Sequence, residues 1–290
     1  MKVLVTGAGG MVGRAVSEYC RANSDSVFSY DHQGLDISDL DRVTQALQRD
    51  QPEVVINCAA WTDVDGCELD RDRAFAANAA GPENLAKASQ EIDAGLITIS
   101  TDYVFDGKKD GFYTQRDQPA PESTYGLSKL EGERRAQLAH ARTIVVRTGF
   151  VFGPGGTNFL STIIERARRG EKLKAIRDAY GTPSYAPDLA RRLRELALRD
   201  LPGTFHVVNS GAGASYEEFA RAALDLSGQA ATDLETVAMD SLNRPAPRPR
   251  NSRLKCLLSD AVGLAPLPFW QDALKDFAAL DSRSDAAAKS

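Results

Sequence analysis

Tyr125 and Lys129 stand four residues apart in the string Tyr125-Gly126-Leu127-Ser128-Lys129. On a helix that spacing puts both side chains on one face, about 6 Å apart along the axis. An ammonium beside a phenol favours the phenolate, which would lower the Tyr125 pKa from its usual value of about 10. Such a pair can give or take a proton near neutral pH. The same spacing also suits an ordinary surface helix. Ser100-Thr101 lies upstream at the end of an apolar run, and its hydroxyl can hydrogen-bond the same carbonyl oxygen that the tyrosine would protonate.

A second set of residues suits phosphate. Thr6-Gly7-Ala8-Gly9-Gly10-Met11-Val12-Gly13 follows the first apolar run. Gly7 permits a tight strand-to-helix turn, Gly10 lets backbone approach a pyrophosphate, and Gly13 lets helix and strand pack closely. Met11, Val12 and Gly13 lead into a helix whose N-terminus offers free N–H groups and partial positive charge. Asp31 comes 18 residues after Gly13, about where an acid binds the adenosine ribose hydroxyls; a plain turn carboxylate would read the same way. Asp36, just before Ile37, is a candidate beside the adenine. No Arg or Lys lies between Tyr30 and Asp41. That favours NADH over NADPH, with Arg14 still able to reach a 2′-phosphate.

These residues need a scaffold. Val3–Thr6, Val27–Tyr30, Val54–Ile56, Leu96–Ser100 and Thr143–Arg147 read as buried strands, alternating with helical patterns at 13–22, 40–47, 69–88 and 128–138. Apolar strands alternating with helices imply a parallel sheet covered on both faces. The expected fold class is α/β, a Rossmann-type doubly wound parallel sheet with a smaller, discontinuous C-terminal substrate-binding domain. Residues 1–150 would form the dinucleotide-binding domain, with a return strand near 186–210. Residues 151–280 would be mainly the substrate-binding part, and 281–290 a flexible tail.

The chain has 290 residues, 42% hydrophobic and 26% charged, which are ordinary globular values. Its formal charge, 35 − 40 = −5, gives no general attraction for nucleic acid or an anionic membrane. No run of about 18 apolar residues suggests a membrane span. The opening Met1-Lys2-Val3-Leu4-Val5 does not read as a leader peptide. The four cysteines form no C-x-x-C and no Cys/His cluster, so neither zinc nor a disulfide framework is expected. A cytoplasmic setting is the simplest.

Five strings in order carry a resemblance. The strings Ser100-Thr101-Asp102-Tyr103-Val104-Phe105-Asp106-Gly107, Tyr125–Glu133 and Arg248-Pro249-Arg250-Asn251-Ser252-Arg253-Leu254 are three of them. Asn57–Asp65 and Asp178–Pro183 are the others. Together they resemble the dTDP-4-dehydrorhamnose reductase family of the extended short-chain dehydrogenase/reductase superfamily, over roughly residues 1–277. The resemblance implies reduction of the C4 ketone of a nucleotide sugar, dTDP-4-dehydro-L-rhamnose, by hydride from NADPH or NADH. It implies that Thr101 hydrogen-bonds the ketone and Tyr125 donates the proton. Lys129 would hold the nicotinamide ribose, and Asn78 would support a proton relay. Ala59 and Ala60 would pass beside the cofactor. Asp102, Tyr103, Phe105, Asn158 and Phe159 would line the sugar and base pocket, although a core role suits the aromatic residues equally. Arg248, Arg250 and Arg253 would meet the diphosphate, or else form a solvated basic loop.

Related 4,6-dehydratases place Asp-Glu after the Thr, whereas this chain has Asp102-Tyr103. Other nucleotide-sugar reductases or epimerases, and a non-catalytic dinucleotide-binding regulatory subunit, are the rival readings. Some relatives form a metal-bridged homodimer through an acid just after the glycine loop. Here that stretch reads Arg14-Ala15-Val16, so no metal ligand is assigned and a homodimer stays open.

Overall fold

The computed structural model describes residues 1–229 and 234–288, the last eight as backbone alone. Six parallel strands form the central sheet: β1 (Lys2–Thr6), β2 (Ser26–Tyr30), β3 (Val54–Asn57), β4 (Gly95–Thr101), β5 (Thr143–Thr148) and β10 (Gly203–His206). Their order is β10-β5-β4-β3-β1-β2. The chain runs outward from β1 to β2, then returns to the other side of β1 with β3. That reversal opens a crevice at the carboxyl ends of β1 and β3, where doubly wound sheets bind ligands.

Helices α1 (Met11–Ala22), α2 (Leu40–Asp50), α5 (Gly81–Glu91), α6 (Thr124–Ala139) and α8 (Ala186–Arg199) cover the sheet. Strand period sorts the core. Val3 and Val5 face α1 and α8, packing with Val16, Leu189 and Leu193, while Leu4 faces α2 and α5, with Val43, Leu47 and Leu85. Fully burying each such side chain is worth about 1.5–3 kcal/mol. Between β3 and α5 the chain forms α3 (Val64–Leu69), α4 (Arg71–Phe75) and a π-turn, Ala76–Ala80. The single long helix expected over 69–88 is therefore interrupted, and Asn78 sits in the π-turn.

Beyond β5, the short strands β6 (Val151–Phe152), β7 (Leu173–Ile176), β8 (Tyr180–Gly181), β9 (Ser184–Tyr185), β11 (Ala214–Ser215) and β12 (Leu234–Val237) pair two by two. Helices α7 (Phe159–Arg168), α9 (Tyr216–Leu226), α10 (Leu257–Ala261) and α11 (Trp270–Ala288) complete this part. Its own core gathers Phe152, Leu160, Phe219, Trp270 and Phe277. Strand β10 returns from this region to pair with β5. The tail expected from 281 onward instead continues α11 to Ala288; the run Ala286-Ala287-Ala288 has high helix propensity. Residues 289–290 lie outside the described residues. Among the described residues no helix is long and apolar enough to cross a membrane.

Candidate active site

The glycine loop folds as its spacing requires. Gly7 has φ of +66°, and a Cβ there would lie 2.6 Å from the Ala59 amide nitrogen. A Cβ on Gly13 would overlap the Gly7 carbonyl oxygen. Both positions are closed to any side chain, whereas a Cβ on Gly10 would meet only one atom, at 3.4 Å. Helix α1 starts at Met11 with no side-chain cap and no acid in its first turn. Its leading N–H groups are left without a side-chain cap, and Met11, Val12 and Gly13 line the crevice. Such an arrangement suits a pyrophosphate, and the residues present fit one.

Three cavities run in line from this loop. One of about 750 Å³ is lined by Gly7, Gly10, Asp31, Asp36, Ile37 and Ala59, among others. It shares Gly10, Cys58 and Ala60 with a second, of about 680 Å³, which also takes in Met11, Val12, Thr101, Asp102, Tyr125 and Lys129. The second shares Tyr103, Phe150, Phe159 and Tyr216 with a third, of about 430 Å³, whose wall includes Arg166, Arg244 and Arg248. In the first cavity Asp31 accepts the Gly34 amide at 2.8 Å, and its carboxylate closes the end of β2. Arg73 also lines this cavity, stacked 4.3 Å from the Trp61 ring centre. That cation lies outside residues 30–41, so the lean toward NADH loses its basis.

Thr101 ends β4, and Tyr125 and Lys129 occupy the first turns of α6. The helix was expected from Ser128 but begins at Thr124, because the Ser123 hydroxyl caps it by accepting the Gly126 amide at 3.1 Å. Glu68 grips the same end, accepting the Thr124 amide at 2.6 Å and its hydroxyl at 2.8 Å. A Cβ on Gly126 would overlap the Tyr103 carbonyl oxygen, so Gly126 lets α6 press against the turn after β4. Tyr125 therefore lies edge-on to Tyr103, ring centres 5.9 Å apart.

The electrostatics differ from the sequence expectation. Lys129 is 4% exposed and donates from Nζ to the Ile99 carbonyl at 2.7 Å. Burial lowers its pKa to about 8, partly countered by Glu133. Burial also raises the Tyr125 phenol above its usual value, with a hydrogen bond to Thr101 pulling the other way. Lys129 was expected to depress the Tyr125 pKa; with its ammonium turned to Ile99, it does not. Asp102, buried beside Thr101, is pushed up by burial to about 6, against the hydroxyls of Ser252 and Thr101. Thr101 Oγ1 donates to Asp102 Oδ1 at 3.1 Å.

Three expected site residues take other places. Asn78 lines neither neighbouring cavity. Its amide is committed to the Trp61 amide at 2.9 Å, the Trp61 carbonyl at 3.0 Å and Ser128 Oγ at 3.1 Å. It ties the π-turn to α6 from behind the cleft. Phe105 is 1% exposed, stacked on Tyr113 at 4.3 Å and covered by Arg147; it belongs to the core. Arg253 lies outside the cavity walls, where it donates to Asn251 Oδ1 at 2.8 Å and spans Phe112 and Tyr180. Of the basic loop, Arg248 reaches the third cavity, held by Asp65 through two contacts of 2.8 Å. Arg250 pairs with Asp178 and Asp240. Asn158 lines the second cavity while capping α7 and donating to the Gly153 carbonyl at 3.1 Å.

Several contributors were not found from sequence. Tyr216 and Phe150, stacked 4.3 Å apart, wall the passage between the second and third cavities, yet lie in no recognised string. Glu133 and Arg147 form a buried ion pair at 2.7 Å beneath Lys129. Glu133 closes the string Tyr125–Glu133, and nothing in the sequence pairs it with Arg147.

A doubly wound sheet, a glycine turn after β1 and a Thr–Tyr–Lys set at the carboxyl edge define a dinucleotide-dependent oxidoreductase of the short-chain dehydrogenase/reductase type. The chain belongs, more narrowly, to the family described as RmlD substrate binding domain, whose model matches residues 1–282. It is 38% identical to a dTDP-4-dehydrorhamnose reductase of Mycolicibacterium smegmatis, over 95% of this chain and 84% of that one. The structure of a dTDP-4-dehydrorhamnose reductase from Clostridium acetobutylicum superposes with a TM-score of 0.93, at 35% identity, covering 97% of this chain and 100% of that one. A Bacillus anthracis dTDP-4-dehydrorhamnose reductase solved in complex with NADP gives 0.92 at 34% identity, covering 96% and 99%.

Proposed function

We propose that the protein reduces the C4 ketone of dTDP-4-dehydro-L-rhamnose to the alcohol of dTDP-L-rhamnose, using NADPH or NADH. The observation that carries this reading is the line of three cavities, with Thr101, Tyr125 and Lys129 in the middle one. The first two suit a dinucleotide: Asp31 toward the ribose, Asp36 and Ile37 beside the base, and the α1 N-terminus for the pyrophosphate. When bound, the reduced nicotinamide supplies a hydride to the ketone carbon. Ala59 and Ala60, small and half-buried, leave room for the cofactor along β3. The third cavity, with Arg248 and Arg244 in its wall, suits the nucleoside diphosphate of the sugar.

The protein's share of the chemistry is orientation and a proton. Thr101 hydrogen-bonds the ketone oxygen. Tyr125, kept protonated by burial at neutral pH, donates its proton to that oxygen as it becomes a hydroxyl. A placed general acid contributes about 10²–10⁴ in rate. Lys129 supplies a buried positive charge on the same helix face. Tyr103, Phe159 and Tyr216 wall the sugar and base. The experiment is to mix the protein with dTDP-4-dehydro-L-rhamnose and NADPH or NADH, then identify the product. Formation of dTDP-L-rhamnose matched by cofactor oxidation supports the reading. Measurable dinucleotide binding with no turnover of this sugar by either cofactor would point to another nucleotide sugar or to a regulatory subunit.

A further inference from the structure

Among the described residues, Arg73 is the one Arg or Lys in the wall of the first cavity. Two acids, Asp31 and Asp36, share that wall. The Arg73 guanidinium lies over the Trp61 ring, 4.3 Å from its centre. A guanidinium seated on an aromatic face keeps the N–H donors of its edge for another acceptor. The Arg73 backbone amide is committed to the Asp70 carboxylate at 3.0 Å, but among the described residues no acceptor meets the guanidinium itself. The platform beneath it is fixed. The Trp61 amide donates to Asn78 Oδ1 at 2.9 Å, and the Trp61 carbonyl accepts from Asn78 Nδ2 at 3.0 Å. A cation held over a pinned ring loses little freedom when it takes up an anion.

We propose that Arg73 binds the 2′-phosphate of NADPH, and so admits that cofactor to a cavity whose other wall carries Asp31. This inference rests on the dinucleotide-dependent reading of the cleft. NADPH carries charge in two places, the pyrophosphate and a phosphomonoester on the adenosine ribose. The glycine loop and the α1 N-terminus suit the first. The second belongs at the ribose end, with Asp31 and Asp36. A phosphomonoester carries about −1.5 to −2 charges near pH 7, which a carboxylate there repels. Other cations are poorly placed to offset this. Arg14 lines neither dinucleotide cavity; its side chain lies toward Gly155, where a Cβ would be 3.6 Å from Arg14 Cδ. Arg42 also lies outside both walls, donating to the Gly34 carbonyl at 3.4 Å. Lys129 is in the second cavity with Tyr125, its ammonium on the Ile99 carbonyl. Arg73 is left, and the edge of a guanidinium can give two parallel N–H bonds to two phosphate oxygens.

The test is calorimetric binding of NADPH, NADH, adenosine 2′,5′-bisphosphate and 5′-AMP to wild type and to Arg73→Gln. Arg73 is exposed, so the variant should fold as wild type does. NADPH and the bisphosphate should bind the variant about tenfold or more weakly, as expected for losing a charge-assisted pair. NADH and 5′-AMP should keep their affinity within about twofold. The short nucleotides carry the adenosine end alone, so a loss seen with them is not relayed from the nicotinamide end. Arg73→Lys, which keeps the charge but not the two-pronged edge, should recover part of the loss. Equal losses for both members of each pair would overturn the proposal, since Arg73 would then hold a part common to them. Unchanged affinity for every ligand would overturn it too. A wild-type protein that binds neither NADPH nor NADH would instead defeat the dinucleotide reading itself.

Discussion

Replacing Lys129 by Met should stabilise the protein at neutral pH while abolishing its chemistry. The magnitude follows from burial. Lys129 is 4% exposed, and its pKa falls from 10.5 to about 8 in the folded chain, chiefly through burial. Because the folded value is the lower one, the unfolded chain binds a proton between about pH 8 and 10.5 that the folded chain does not. Wild-type stability therefore gains from this group as pH rises through that window, and below it carries the full cost of a buried charge. At about 1.4 kcal/mol per pH unit, that cost is about 3 kcal/mol. Met fills the same channel without charge, so the variant lacks this pH dependence. Urea unfolding of both proteins at several pH values gives the difference directly, because groups away from position 129 titrate alike in the two. The stability of the Met variant relative to wild type should be greatest near neutral pH and shrink by about 3 kcal/mol by about pH 10.5. A difference that stays constant across the window, or grows with pH, refutes the reasoning. The native Lys is then a site where stability yields to function.

Three further outcomes follow from the same geometry. Glu133→Leu strands the Arg147 guanidinium in the core and should cost about 3–5 kcal/mol in denaturant unfolding; adding Arg147→Met should recover most of it, and a double variant as unstable as the single would contradict this. Arg248→Ala should weaken nucleotide-sugar binding more than dinucleotide binding, as calorimetry would show, and equal losses would remove Arg248 from the diphosphate. Gly13→Ala must displace the Gly7 carbonyl, so dinucleotide affinity should fall by more than about tenfold, on the order of 1.4 kcal/mol; unchanged affinity would mean the loop is not the pyrophosphate cradle.

What could be read from the chain was what local pattern controls. The apolar strands and the glycine loop depend on residues close in sequence, as does the Tyr125/Lys129 spacing, and each lies where its pattern implied. The start of α6 was read four residues late, because the Ser123 cap and the Glu68 grip come before any apolar periodicity. Side-chain direction was harder. Tyr103 and Phe105 stand two apart in one string, yet the 3-10 turn Asp102–Val104 sends one to the cleft and the other into the core. The three arginines of the C-terminal loop read alike in sequence; Asp65, Asp178 and Asn251, two of them remote, decide which one faces a cavity. The environment of Lys129 depends on three elements at once, since Ile99 lies on β4, Glu133 on α6 and Arg147 on β5. No spacing rule encodes such a convergence.

The central claim is that Tyr125 is the proton donor of a ketone reduction in the middle cavity. It is tested most directly by comparing wild type with Tyr125→Phe, following oxidation of the reduced cofactor with dTDP-4-dehydro-L-rhamnose and measuring cofactor affinity alongside. Loss of about 10²–10⁴ in kcat with cofactor affinity unchanged is the predicted result. Turnover within about twofold of wild type, well short of the effect of losing a general acid, would contradict the account.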